Sequence, residues 1–150
     1  MRTLGNILWH FPFFGFISAA LTYVIGLLLT ITVIAAPIGQ GLMEYGKFLF
    51  SPFSSSMVSK SDLGIEQNDA WKAYSTIVMI VWLPFGLLLG LLVVLQSAFL
   101  FITIIGIPVA VVLAKSLGTY VNPVGKKCVS RAVSEEMDRR QAQETLDGMS

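Results

Sequence analysis

The 150-residue chain holds one histidine, His10, and one cysteine, Cys128. Zinc sites and Cys/His nucleophile pairs therefore have no second ligand or base to draw on. A lone cysteine also forms no internal disulfide, so cysteine usage says nothing of the redox compartment. No P-loop, dinucleotide fingerprint or HExxH motif is present. The one serine-rich run, Ser54-Ser55-Ser56, has no base nearby. The expectation is a protein that is not an enzyme and uses no cofactor or metal. Charge is scarce as well: 13% of residues are charged, against about 25% in soluble domains. Apart from Glu44, Lys47 and Lys115, the charges fall at the extreme N-terminus, at 60–72 and after Gly125, and the net charge of the chain is +1. Without a basic stripe outside the tail, no nucleic-acid partner is expected.

Apolar residues are plentiful, at 55% of the chain with mean hydropathy +0.75. The apolar runs exceed the ~20 residues that cross a bilayer, and a chain this short cannot hide so much apolar surface from water. Residues 1–12 form a lead-in with Trp9 and His10 at the expected headgroup level. Residues 13–36 are a clean spanning run, read as retained rather than cleaved because the run is longer than a signal h-region. Pro37 and Gly39 break it, and 37–53 is shorter and amphipathic, with Gln40, Glu44, Lys47 and Ser51 on one helical face. A solvated loop covers 54–75, with a short helix expected around 69–74. A second long run, 76–105, ends at Gly106-Ile107-Pro108, and a second short segment covers 108–121. The tail after Gly125 is rich in helix formers and is expected to be soluble and helical. The divisions are a first membrane repeat at 1–58, a polar linker at 59–75, a second repeat at 76–130 and a tail at 131–150.

Sliding the chain by 71 residues aligns Phe14-Gly15 with Phe85-Gly86, Ile31-Thr32 with Ile102-Thr103, Pro37 with Pro108 and Pro52 with Pro123. One register accommodates both prolines and the Phe-Gly pair. The expected fold class is an all-α integral membrane protein of two tandem repeats, each a long transmembrane helix, a Pro break and a shorter helix.

The second unit resembles the YccF-type inner-membrane component domain. The residues that carry the resemblance are Ile105-Gly106-Ile107-Pro108, Lys115, and Pro123-Val124-Gly125 followed by Lys126-Lys127. The first unit is similar more loosely, through Pro37, Glu44, Lys47 and Pro52, so that the resemblance covers about residues 4–130. Ala110 stands where the family often has glycine, and Ser54 replaces the glycine of the first Pro-x-Gly. The resemblance implies residence in the bacterial cytoplasmic membrane and supplies no catalytic residues.

Two arrangements compete. In the preferred one each unit is a hairpin that crosses twice, which gathers every formal charge outside the spans on one face but sets Lys115, Glu44 and Lys47 inside the bilayer. In the other, each unit crosses once, the short segments lie in the interface, and the units are inverted. Both put the tail in the cytoplasm. Glu44 and Lys115 are equivalent in the 71-residue register and form, with Gln40, Lys47 and Gln96, the candidate polar site. It is either a buried pair or pathway lining, or a set of side chains snorkelling to headgroups and bonding between helices. Gly86 and Gly90 permit close helix packing or dimerisation. Lys126, Lys127 and Arg131 are expected to touch anionic lipid headgroups. The function expected is either an oligomeric channel or transport component for ions or small solutes, or a non-transporting scaffold that binds another membrane protein.

Overall fold

Pro37 and Pro108, expected as breaks, each sit in the first turn of a helix. There the missing N–H has no intrahelical partner to lose and the fixed φ already suits the helix. The computed structural model describes residues 2–11 and 14–149. In chain order these form α1 (Arg2–His10), α2 (Gly15–Ile31), α3 (Ala36–Phe50), β1 (Ser55–Ser59), α4 (Asp69–Ile102), a 3-10 turn (Ile104–Gly106), α5 (Ile107–Val121), β2 (Lys126–Ser130) and α6 (Arg131–Met149). α3 and α5 begin and end 71 residues apart, as do β1 and β2, and α2 and α4 end 71 residues apart.

α2 and α3 fold back on each other through Thr32–Ala35. The Thr32 hydroxyl donates to the Leu29 carbonyl at 2.6 Å, and Val33 takes a left-handed φ of 61°, which is unfavourable for a β-branched residue. The pair closes on Gly26 and Gly39, where a Cβ on either residue would lie 2.6 to 2.7 Å from the other's carbonyl oxygen. α4 starts at Asn68, whose side chain accepts from the Ala70 N–H at 3.3 Å, and runs unbroken through Pro84. It packs on α5, with Gly86 and Gly90 under Val121. These two glycines therefore serve packing within the chain.

The chain is mostly helical, as expected, with one addition. β1 and β2 pair antiparallel, from Ser55 opposite Ser130 to Ser59 opposite Lys126. The segment 126–130, expected to open a helical tail, is a strand, and the helix begins only at Arg131.

Trp9, Ala19, Tyr45, Phe48, Leu49 and Val112 form the core. Trp9, placed by its sequence at the headgroup level, is buried in it. The short helices α3 and α5 lie inside, and the long ones face outward with Phe16, Leu21, Leu28, Leu88, Leu91 and Phe99 exposed. Exposed apolar surface on this scale marks a membrane or protein contact. α4 is the one described helix long and apolar enough to cross a bilayer unaided, and 17% of its most apolar 18-residue window is buried, which is too little for a soluble core helix. α1 and α2 reach that length only together, at 79° to each other. α6 has no buried residue.

Candidate functional site

The candidate site is the joint where the α2–α3 pair meets the α4–α5 pair. Its ends are two turns, 51–54 and 122–125, each closed by a fully buried proline, Pro52 and Pro123. Between them α3 and α5 pass in opposite directions. Pro52 meets Lys115, the Tyr45 hydroxyl donates to that of Tyr120 at 3.0 Å, and Gly41 lies against the Pro123 carbonyl, leaving no room for a Cβ. The Tyr74 hydroxyl donates to the Ile34 carbonyl at 2.6 Å, so the α2–α3 turn sits beside the start of α4. The α4–α5 turn is at the far end of α4. The two turns thus lie towards opposite ends of α4, unlike the side-by-side hairpins preferred from the sequence.

At the first turn, the Lys115 ammonium donates to the Pro52 carbonyl at 3.1 Å and stands 5.6 Å from the centre of the Phe53 ring. Asn6 clamps the same turn: its side-chain oxygen accepts from the Phe53 N–H at 3.0 Å, and its amide donates to the Ser54 hydroxyl at 3.0 Å. The Arg131 N–H donates to the Ser54 carbonyl at 3.0 Å. Four elements, α1, α3, α5 and α6, converge here.

At the second turn, Glu44 accepts from the Cys128 N–H at 3.0 Å and forms an ion pair with Lys47. Lys60 donates through its N–H to the Gly125 carbonyl at 2.8 Å and through its ammonium to Gln40 at 3.4 Å. A hollow of about 320 Å³ opens beside them, lined by Gln40, Met43, Glu44, Lys60, Ile65 and Lys127. Burial pushes the Cys128 thiol above its ordinary pKa.

Each pair is closed at its base by a tryptophan. The Trp9 indole N–H donates to the Leu49 carbonyl at 2.9 Å, and that of Trp82 to the Tyr120 carbonyl at 3.3 Å. Leu49 and Tyr120 are the penultimate residues of α3 and α5, where helix carbonyls lack intrahelical donors. The rings rest on Gly15 and Gly86 respectively, where a Cβ would collide with them.

This geometry coincides with a family boundary. Residues 4–55 match the YccF inner membrane component domain. The match runs from α1 through α3 to the first residue of β1 and covers about a third of the chain. It falls on the first unit, whereas the resemblance read from the sequence rested mainly on the second. No curated protein and no solved structure matches the chain.

Of the residues singled out from the sequence, the matched segment contributes Gln40, Glu44 and Lys47 to the second turn, and Lys115 serves the first. Glu44 and Lys115 each bond to backbone of the other unit and not to one another. Gln96 is exposed on α4, remote from the joint; Lys127 and Arg131 are exposed and Lys126 is half-buried. Pro37 and Pro108 lie in the first turns of α3 and α5, and Gly106 ends the 3-10 turn before α5. Among the described residues no group of three His, Cys, Asp or Glu side chains could hold a metal. Sequence reading missed Asn6, Tyr45 and Tyr120.

Proposed function

We propose that this protein is an integral component of the bacterial inner membrane that acts as a non-transporting scaffold. Two copies of one unit, a helical pair closed by a tryptophan and ending in a strand, hold the bilayer through the apolar faces of α2 and α4. α6 lies on the cytoplasmic side, where Lys126, Lys127 and Arg131 agree with the positive-inside bias. α6 is the arm offered to another membrane-associated protein. It is polar on balance, has no buried residue and carries its own Arg131–Glu135 and Arg140–Glu136 pairs, as expected of a helix that reaches into water.

The observation that carries this reading is the engagement of Glu44 and Lys115. A solute pathway needs such groups turned to a shared opening, and here they tie the two units together. A pathway also requires several copies, because two helical pairs do not enclose a pore.

The test has two arms. Protein reconstituted in liposomes should pass no ions above the lipid background, and Lys115→Ala should not change that. Full-length protein should co-purify one defined membrane partner that a chain ending at Ser130 loses. Selective flux, altered by Lys115→Ala, would return the pathway reading.

A further inference from the structure

The first turn of the joint gathers three cations from three distant parts of the chain. Arg2 opens α1, Lys115 lies midway along α5, and Arg131 opens α6. Arg2 and Arg131 both approach one Glu135 oxygen, at 3.8 and 2.7 Å. The charges of both arginines also bear on the Lys115 ammonium. Lys115 is held to the turn by a neutral carbonyl, which orients the ammonium without cancelling its charge. Arg2 and Arg131 therefore share one carboxylate, while the Lys115 ammonium stands at the same turn with no acidic partner of its own among the described residues. All three cationic residues are exposed, and the first turn of α6 contains no acidic residue, so the positive end of its macrodipole adds to the same field. Beside Arg2, α1 exposes Leu4, Ile7 and Leu8, an apolar surface next to a cationic one.

We propose that Arg2, Lys115 and Arg131 form a binding site for the phosphate headgroup of an anionic phospholipid, whose acyl chains lie along α1. The paired arginines suit a phosphate because each guanidinium presents a fork of donors to its oxygens. The adjoining leucines and isoleucine distinguish a lipid from a free anion. The site shares Arg131 with the Lys126, Lys127 and Arg131 cluster expected from the sequence but replaces the two lysines with Arg2 and Lys115, so that the fold assembles it from residues 113 and 129 positions apart from Arg2. Glu135 competes with the headgroup for both arginines.

Native mass spectrometry in a neutral detergent tests this without any partner protein, and so separates it from the scaffold reading. The probes are phosphatidylglycerol, phosphatidylcholine and inorganic phosphate. Phosphatidylglycerol adducts should form well below the concentration that phosphatidylcholine needs. At about 1 kcal/mol per cation, Arg2→Gln or Arg131→Gln should weaken them about fivefold and the double variant about 25-fold. Glu135→Gln should strengthen them, which a merely structural role would not do. Lys126→Gln with Lys127→Gln should leave them unchanged, and circular dichroism checks that each variant folds. Equal binding of the two lipids, an unaffected arginine double variant, or inorganic phosphate that displaces the lipid at equal concentration would each overturn the assignment.

Discussion

Met57 faces Cys128 at the centre of the β1–β2 ribbon, and the two residues stand 71 positions apart in the chain. The ribbon therefore pairs each unit with its counterpart about the residue that is equivalent in both. The pairs on either side follow suit: Ser55 meets Ser130, and Ser59 meets Lys126. Two tryptophans 73 residues apart reach carbonyls that are equivalent in that register, Trp9 that of Leu49 and Trp82 that of Tyr120.

The ribbon's hydrogen-bond phase leads to a first prediction. Arg131 N–H donates to the Ser54 carbonyl and Lys60 N–H to that of Gly125, so the hydrogen-bonded pairs fall at even positions of β1 and Met57–Cys128 is a non-bonded pair. Such pairs have Cα atoms about 4.5 Å apart, within the range that a disulfide bridges. Met57→Cys should oxidise with Cys128 under mild oxidant and raise the thermal midpoint. Val58→Cys, on the other face, should stay reduced. Non-reducing gels and intact mass would show the difference, and a Met57→Cys protein that stays reduced would contradict the register.

The same thiol has a pH signature. Burial disfavours the Cys128 thiolate and raises its pKa in the folded protein. As pH rises, the unfolded chain ionises this group first, near pH 8.5. Its contribution to stability is therefore complete below that point and is lost as pH climbs towards the folded pKa. Alkylation by iodoacetamide should be slower than for free cysteine at pH 8 and reach its plateau at a more alkaline pH. Cys128→Ala should flatten the fall in thermal midpoint over that range.

Two glycines of the short helices should respond in opposite ways. Gly41→Ala drives a methyl into the Pro123 carbonyl, and backbone at a buried turn cannot yield easily. The loss should be about 1–3 kcal/mol, as for other overpacked sites. Gly118→Ala meets nothing within 4 Å and sits inside α5, where alanine should gain up to about 1 kcal/mol. Thermal unfolding in detergent reads both. A Gly41→Ala protein as stable as the parent would mean that the two pairs do not meet at that point.

Much of this fold was legible in the sequence, and the missing parts share a cause. The two prolines, the Phe-Gly pair and the 71-residue register placed the starts of the short helices within one residue, and the end of α3 within three, because proline and glycine act locally on the backbone. The ribbon was invisible: SSMVS and KKCVS are too short for a clear period-2 pattern, and no turn joins them. Asn6 and Tyr120 gave no signal either, since their partners lie 47 and 75 residues away. Lys115 was noticed for its charge, yet its position beside Pro52 depends on how the two pairs cross, which periodicity within one helix does not encode.

The α4–α5 pair is less well filled than its counterpart, and that leads to a last prediction. A hollow of about 280 Å³ lies between α4 and α5, lined by Val93, Ser97, Phe101, Ala114 and Leu117 among others. The Ser97 hydroxyl is buried without a hydrogen-bond partner. In the 71-residue register Ser97 corresponds to Gly26, Leu117 to Gly46 and Ala114 to Met43. In the first unit the two glycines let the helices close, and Met43 reaches the Thr30 hydroxyl, its sulfur accepting at 3.7 Å. In the second unit Ser97 and Leu117 are larger, and the small Ala114 leaves the hollow between α4 and α5 unfilled. Ala114→Met should restore the missing contacts, since a flexible thioether adapts to an irregular gap. Cavity filling of this kind commonly adds about 0.5–2 kcal/mol. Ser97→Ala should also be neutral or stabilising, because it removes a buried hydroxyl that bonds to nothing. A lower thermal midpoint for both variants in detergent would mean that the hollow is occupied in the membrane and that the hydroxyl has a partner there.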